Sequence, residues 1–436
     1  MRVTLVKPPE ISPLNFGCFS LAVLAAAVRD IASVKIIDAT NLSIMESVKK
    51  AIRSKPDLIG VTTMGRTSVV PSGALIAELR RTGFEGSIIA GGHGATMLPR
   101  EVLEKGADAV VYSEGEITFR ELLLFGVSKQ LKGLFLIKDG KLIKTPPQSL
   151  IQPLDKLAEP ARDLIAAPID GITLLETSRG CPHSCIFCET TRFYNHTWRP
   201  RSPEIVSKDI RHLVTRHRAN VILIADDNFM ASPKRVIRIC ELIQNQPLPL
   251  FFMFSARSDD ILRNPELVPL LAKAKFLRAT VGVETFDKCL AQQIQKPITF
   301  EQHKKAFSAM RNAGIYTVAS FIVGLPGETE EIQKNYLNSA VELGADSARF
   351  LPFQPLPGTQ LGNGLGEPSI FNIELAEKVT NLFERHPLVV RRLLDTAREP
   401  NVRGMLARAS LSRRLREKTL SKNEEITVIR ENLFQV

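Results

Sequence analysis

Cysteine is scarce in this chain, with six in 436 residues. That density excludes the disulfide framework of a small secreted domain. No apolar run is long enough to cross a bilayer, and the segment Phe19 to Val28 falls far short of it. The N-terminus, Met-Arg-Val-Thr-Leu-Val-Lys-Pro-Pro, reads as a strand and a turn, not as a charged region before an apolar one. A cytoplasmic protein is therefore expected, with no membrane partner. Internal repeats and low-complexity segments are absent as well. What is present is ordinary for a globular chain: 44% hydrophobic and 24% charged residues, over a length that supports two or three cores.

Acidic residues are outnumbered, for a net charge of +11. The excess is concentrated late, at Arg391, Arg392, Arg398, Arg403, Arg408, Arg413, Arg414, Arg416 and Lys418. Nucleic acid, a membrane surface and an anionic substrate all suit that sign. The plainest reading is a solvated basic helical face. A substrate-docking surface or lid over Val390–Lys422 is the alternative.

The patterning is α/β. Short apolar runs at Val3–Val6, Val34–Ile37, Leu58–Thr62, Ile88–Ala90 and Ala109–Tyr112 alternate with helical stretches, which predicts a doubly wound, Rossmann-like parallel sheet over residues 1–125. Residues 126–170 read as a hairpin around Asp139-Gly140 followed by a proline-punctuated linker. Six further strand–helix steps follow over 171–365, with strands at Thr173–Thr177, Val221–Ala225, Leu250–Ser255, Arg278–Val283, Tyr316–Val323 and Ser347–Pro352. Six steps are too few for a closed eight-fold barrel and predict a partial (β/α)6 barrel of TIM type, with active residues at the C-terminal strand ends. Residues 366–436 read as a basic helical region.

Three of the cysteines crowd into one segment, Cys181-Pro-His-Ser-Cys185-Ile-Phe-Cys188, directly after the first barrel strand. Three thiolates on one loop fit a cubane iron–sulfur cluster and leave one iron without a protein ligand; four would make an electron-transfer cluster or a structural zinc site. A zinc knuckle is the alternative. Cys18, Cys240 and Cys289 are scattered and read as small buried hydrophobes.

The C-x3-C-x2-C spacing, with aromatic Phe187 before the last cysteine, resembles the radical S-adenosylmethionine superfamily. The resemblance implies a [4Fe–4S] cluster on Cys181, Cys185 and Cys188 whose open iron chelates S-adenosylmethionine, and a reductant of flavodoxin or ferredoxin type. Words at the other strand ends match in order: Asp226-Asp227, Ser-Ala-Arg257, Gly282-Val-Glu284-Thr285, and Ser320-Phe-Ile322-Val-Gly324-Leu-Pro-Gly-Glu-Thr. Phe187, Asp226, Asp227, Arg257, Glu284, Ser320, Ile322 and Gly324 are thereby implied as S-adenosylmethionine contacts.

The N-terminal domain resembles that of the cobalamin-binding subfamily. The matching positions are Pro8, Asp38, Thr62, Thr63, Met64, Gly65, Arg66, Gly91, Gly92, His93, Thr96, Glu114, Gly115 and Glu116. The Asp-x-His-x-x-Gly word that supplies an axial histidine to cobalt is missing, so the resemblance implies cobalamin with no histidine beneath the metal, and the Thr62–Thr67 loop facing the lower side of the corrin. The two glycine-rich turns would let the nucleotide tail lie against backbone amides. A Rossmann-like module without cobalamin is the alternative.

This architecture implies a C-methyltransferase that delivers a methyl group from methylcobalamin to an unactivated carbon by way of a 5′-deoxyadenosyl radical. The substrate is expected among peptides, proteins, tetrapyrroles, lipids and natural products. Tyr194, His196, Tyr316 and Gln354 are the substrate-facing candidates from their places near strand ends. A cyclase or ring-rearranging enzyme of the same architecture is the first rival. A transfer-RNA methylthiotransferase ranks lower, because the N-terminal domain holds Cys18 alone where such enzymes carry three cysteines. Nucleic acid accordingly ranks low as a partner. A non-enzymatic cobalamin or redox sensor is the last.

Overall fold

The computed structural model describes residues 1–10, 17–166, 172–246, 250–356, 359–362 and 369–416, with the side chains of Arg66 and Arg416 excepted. Lys418, Pro168 and Gly171 lie outside the described residues, as does the tail beyond Arg416. The chain divides into two compact units. One comprises 1–174 with 189–201 and 356–358, and the other 175–188, 202–355 and 359–436.

The first unit is built on strands β1 (Arg2–Lys7), β2 (Ser33–Asp38), β3 (Leu58–Thr62), β4 (Ser87–Gly91), β5 (Ala109–Val111), β6 (Leu134–Lys138) and β7 (Lys141–Lys144), in the order β2-β1-β3-β4-β5-β6-β7. The first five run parallel, and β6 and β7 close the edge antiparallel. A parallel sheet needs cover on both faces, and two apolar clusters supply it. Val6, Ile59, Val61 and Ile88 pack with Val48, Leu75 and Leu79 on one side, and Val3, Leu5, Leu58 and Ile89 pack with Leu21, Ala25, Phe119 and Leu122 on the other.

Two details differ from the sequence reading. Residues 126–170, expected as a hairpin and linker, belong to the first unit. The hairpin turns through Asp139 and Gly140, both at positive φ, and extends the sheet. Further on, Ala161 is buried and its N–H bonds the Ala22 carbonyl at 2.9 Å. The helix after β3 begins at Arg66, inside the Thr62–Thr67 stretch expected as a loop, and runs to Arg81 with Pro71 inside it. Pro71 removes one backbone donor, and the carbonyl it leaves belongs to exposed Thr67, where water can serve.

The second sheet comprises β8 (Ile172–Leu175), β9 (Val221–Ile224), β10 (Phe251–Ala256), β11 (Phe276–Glu284), β12 (Tyr316–Val323) and β13 (Ser347–Pro352), in the order β13-β12-β11-β10-β9-β8. The division between the units falls within β8. Strands β9 to β13 pair in parallel. Their outer positions carry the core: Phe276 stacks with Phe229 and Phe252, Phe254 meets Phe229 and Phe276 edge-on, and Phe321 stacks on Phe350 at 5.0 Å. Their inner positions are not closed off. Ser255, Arg349 and Leu351 are exposed, Leu351 by 50%. A closed barrel of eight strands fills that space with layers of side chains, so this is an open, partial one.

Three helices end the described chain, Ile370–Arg385, Pro387–Ala397 and Val402–Arg416. They correct the expectation of a solvated basic face. Arg392 donates to the carbonyls of Ala345 and Val341, and Arg408 to that of Ala397. Arg414 is fully buried against the Glu384 carbonyl, and Arg413 pairs with the Glu384 carboxylate. Arg403 reaches Asp346 at 2.8 Å. These arginines satisfy helix and loop carbonyls inside the unit, which charge patterning along a sequence cannot reveal. Asp346 is fully buried and also accepts the Thr317 N–H and hydroxyl at 2.8 and 3.0 Å. Asp346→Ala should therefore cost about 3–5 kcal/mol, since it breaks a buried ion pair and leaves the Thr317 N–H and hydroxyl without their acceptor. Urea unfolding of the two proteins checks this, and an unchanged midpoint would contradict the buried pairing.

Candidate active site

The cysteine loop leaves the C-terminal end of β8, where sharp turning needs polar anchors. Asp226, at the end of β9, provides one. Its Oδ1 accepts the Thr177 N–H at 2.6 Å, and its Oδ2 accepts the hydroxyls of Thr177 and Ser178 at 2.5 and 2.6 Å. Burial pushes the Asp226 carboxyl above the usual range, against the pull of those donors. Arg235 reinforces the turn through the Thr177 carbonyl at 2.5 Å. This changes the reading of Asp226: its carboxylate is committed to the loop and is not turned toward a ligand. Asp227 is exposed and accepts the Gly180 N–H at 3.2 Å.

Cys181, Cys185 and Cys188 are not in disulfides. Arg257 Nη1 donates to Cys185 Sγ at 3.3 Å while its other nitrogens grip Asp259 at 3.0 and 3.1 Å. Asn228 Nδ2 reaches Cys181 Sγ at 3.9 Å and Asp260 at 3.1 Å. Burial raises the Cys181 thiol, and Asn228 and Arg257 oppose that rise. His183 Nε2 lies 3.7 Å from Asp260. The remaining second-unit cysteines stand apart: Cys240 is buried in the main core, where burial pushes its thiol up to about 12, and Cys289 is exposed, contrary to the expectation that it would be buried. Three soft thiolate donors in one loop, two of them met by N–H donors, are a fitting ligand set for a cluster with one open iron.

Two words predicted separately meet beside this loop. Phe187 and Ile186 pack with Ile322 against the buried Ile294, Leu325 and Phe353. The stretch after Ile322 folds back on itself. Glu328 accepts the N–H of Gly324 at 2.9 Å and of Leu325 at 3.3 Å, and the Tyr336 hydroxyl at 2.6 Å. Gly324 sits at φ +85°, and a Cβ there would come 2.0 Å from Asn372 Nδ2, so glycine is required twice over. Ser320 is partly buried, beside Gly282 and Arg349 in the sheet register.

Glu284 ends β11 in a left-handed conformation at φ +63°, where a bulge shifts the register. Non-glycine residues rarely hold that conformation. Here Lys296 holds it, with Nζ 2.7 Å from Glu284 Oε1 and 2.9 Å from the Gly282 carbonyl. Lys296 belongs to no recognisable word, and nothing in the sequence marked it. Near it, buried His303 bonds Ser258 through Nδ1 at 2.7 Å.

In the first unit, a cavity of about 810 Å³ lies at the carboxyl ends of β1 to β3, lined by Pro9, Glu10, Asn41, Leu42, Ser43, Thr67 and Pro71. Doubly wound sheets take their ligands at that edge. Pro8 and Asp38 end the adjoining strands, and Asp38 accepts the Thr40 N–H at 3.0 Å. Met64 is 53% exposed and nothing lies within 4 Å of a Cβ built on Gly65. An open loop beside a cavity at this edge leaves room for a bound cofactor. Thr62 and Thr63 are buried, with the Thr63 hydroxyl 3.1 Å from Ser72 Oγ. The side chain of Arg66 lies outside the described residues.

Several positions of this set serve the protein itself. A Cβ on Gly92 would meet the Thr63 carbonyl at 2.6 Å, and one on Gly94 the Gly65 carbonyl at 2.4 Å. These glycines admit the neighbouring loop, where the sequence reading gave that turn to a nucleotide tail. Gly91 lies on the same turn, with a Cβ 3.4 Å from the Val111 carbonyl. His93 stacks on Phe193 at 3.7 Å, and its Nδ1 lies 3.2 Å from Glu189 Oε1. Thr96 Oγ1 accepts the Ser113 N–H at 3.3 Å. Glu114 is spent on Arg199, at 2.8 and 3.0 Å, and on the Ile151 N–H at 2.7 Å. Gly115 precedes the helix that buried Glu116 begins.

The substrate candidates separate. Tyr316 is 4% exposed, bonds Ser410 and starts β12, so it lies at the wrong end of its strand and in the core. Tyr194 is partly buried, edge-on to His93 and Phe193 with the Arg199 guanidinium 5.7 Å from its ring. His196 is exposed at φ +55°, and Gln354 is partly buried.

Comparison with known proteins agrees with this geometry. Residues 175–337 match the model of the radical SAM superfamily, and residues 18–123 match that of the B12 binding domain. An uncharacterized methyltransferase of Pyrococcus horikoshii is 30% identical over 381 residues, which cover 83% of this chain and 82% of that protein. The anaerobic magnesium-protoporphyrin IX monomethyl ester cyclase of Rubrivivax gelatinosus is 28% identical over 80% of this chain and 65% of its own length. In fold, the chain resembles the radical S-adenosylmethionine methyltransferase TsrM of Kitasatospora setae, solved with cobalamin and a [4Fe–4S] cluster, at a TM-score of 0.69 and 20% identity over 83% of this chain and 74% of that one.

Two predictions follow from these contacts. Asp226→Ala leaves a buried N–H and two hydroxyls without their acceptor, at a cost of about 2–3 kcal/mol. It should lower both the melting temperature and the iron bound after anaerobic reconstitution; full iron loading would show that the loop needs no such anchor. Burial, and then the Lys296 charge, push His303 down to about 3. An unfolded histidine titrates near 6.5, so the unfolded state binds the extra proton and stability is lost as pH falls from about 6.5 toward 3. Between pH 7.5 and 5 that loss should be about 2 kcal/mol. His303→Asn should lack this increment in urea unfolding at the two pH values, and equal losses in both proteins would refute it.

Proposed function

The chain belongs to the radical S-adenosylmethionine superfamily and carries a B12 binding domain, and from this we propose that it is a cobalamin-dependent C-methyltransferase. The observation that carries the reading is the joint presence of a three-thiol loop, gripped by Arg257 and Asn228, and a cavity at the ligand-binding edge of the B12 domain. When bound, the cluster supplies the electron that cleaves S-adenosylmethionine, and cobalamin supplies the methyl group to be transferred.

The chain's own residues do the positioning. Cys181, Cys185 and Cys188 would hold the cluster, and the guanidinium of Arg257 offsets thiolate charge at Cys185. The apolar cluster of Phe187, Ile186, Ile322 and Phe353 keeps water from that side of the loop. The turn closed by Glu328 offers backbone groups of Gly324 and Leu325 beside it. Glu284 is held at its strand end by Lys296, set for a polar contact. In the first unit, Met64 and Gly65 present an open loop for the face of a corrin. A small protein reductant of flavodoxin or ferredoxin type would deliver the electron, and the acceptor is a carbon of a peptide, protein or natural product.

The cyclase relative supports a second reading, oxidative ring closure without methylation. Anaerobically reconstituted protein given reductant, cobalamin, S-adenosylmethionine with a labelled methyl group and cell extract separates the two. Methyl transfer should yield S-adenosylhomocysteine together with 5′-deoxyadenosine, and label in one extract fraction. Formation of 5′-deoxyadenosine alone would replace the methyltransferase reading with the cyclase one.

A further inference from the structure

Strands β9 to β13 contain two cations, Arg278 and Arg349, and one acid, Glu284. The acid is already matched by Lys296 at 2.7 Å. Both arginines lie on the inner face. In the register, Arg278 stands beside Met253 and Tyr316, and Arg349 stands beside Ser320, which on its other side pairs with Gly282. Arg278 and Gly282 are four residues apart on β11, and so are Tyr316 and Ser320 on β12, so these positions share a face. The alternate positions, such as Ala279, Phe321 and Phe350, form the packed outer core.

Neither arginine has an ion-pair partner among the described residues. Arg278 is partly buried and makes one long contact, Nη1 to Thr280 Oγ1 at 3.4 Å. Burial and then the charge of Arg349 push its guanidinium down to about 10. Arg349 is exposed on the same face. Other well-buried arginines meet a carboxylate or a carbonyl at close range: Arg199 meets Glu114, Arg403 meets Asp346, and Arg414 meets the Glu384 carbonyl. Two cations on one sheet face, with no acid among the described residues to match them, are destabilising until an anion arrives.

We infer that the inner face of β11 to β13 is an anion subsite for the methyl-accepting substrate, with Arg278 and Arg349 binding a carboxylate or phosphate group of that molecule. The assignment rests on the methyltransferase reading for the identity of the occupant, and it narrows the substrate to molecules carrying such a group. Arg349 stands three residues before the end of β13, ~10 Å down the strand. The anionic group would thus sit below the strand ends, with the rest of the substrate extending up toward them. Guanidinium forks suit either anion, so the geometry is indifferent between the two sources.

Calorimetric titration of the full-length, reconstituted protein, saturated with S-adenosylmethionine, tests this with inorganic phosphate in one arm and acetate in the other. Binding of at least one anion is expected, and the stronger arm identifies the chemistry of the substrate group. Arg349→Met and Arg278→Met should each weaken it about tenfold or more, and Arg349→Lys should retain most of it. Arg349 is exposed, so its variants keep the test valid if Arg278→Met fails to fold. No binding of either anion, or equal binding in both methionine variants, would overturn the inference. So would anion binding that disappears once S-adenosylmethionine is loaded, because the arginines would then serve the methionine carboxylate. The titration requires no methyl transfer, so absence of S-adenosylhomocysteine would defeat the proposed function and leave this result standing.

Discussion

The buried carboxylate of Asp226, taking three hydrogen bonds from Thr177 and Ser178, is the constraint on which the cysteine loop depends. A loop that must present three thiols in one direction cannot wander from its strand. Asp226 removes that freedom from the neighbouring strand, and Arg235 fixes the carbonyl of the same residue. From there the order of contacts runs outward: Asn228 and Arg257 to the thiols, Asp260 and Asp259 to Asn228 and Arg257. Each polar group is oriented by another, which is how a ligand set is kept in place when the metal is soft and the loop is short.

Charge is handled differently in different parts of the chain. Glu114 with Arg199, Asp346 with Arg403 and Glu284 with Lys296 are buried pairs, and Glu114, Arg199, Asp346, Arg403 and Lys296 each also meet a backbone group or a second partner. Such pairs add little net stability compared with apolar packing, but they are costly to break. They therefore act as fasteners between segments far apart in sequence. The inner face of the second sheet departs from this rule, with two cations that have no acid to match them among the described residues. A parallel sheet with one open face is itself an exception, and the two exceptions coincide in place.

Much of the architecture was legible in the sequence. Strands alternating with helices at short intervals allow few topologies, and the five runs from Val3 to Tyr112 all became strands of one sheet. The cysteine spacing was sufficient for the thiol loop because all three ligands lie within one short segment. Residues brought in from a distance were not legible. Lys296 and Asn372 carry no local pattern, and their importance comes from what they touch. Tyr316 misled because a strand was recognised without regard for which end of it a residue occupies. The C-terminal arginines misled because solvated and carbonyl-bound guanidinium groups have the same spacing along a helix.

By itself the sequence determined the periodic and the contiguous: which segments are strands, where helices follow, and that three thiols lie within reach of one another. These depend on the chain's local period and on loop length, both of which are written in order along it. Only the tertiary structure decided which polar residues are spent on the protein and which are left for a ligand. Asp226, Glu114, Gly92 and His93 were claimed by neighbours, while Arg278 and Arg349 have no ion-pair partner among the described residues. That distinction is a matter of what lies within about 3 Å in space, the range of a hydrogen bond, and residues that meet at that range can be eighty-five positions apart, as Glu114 and Arg199 are.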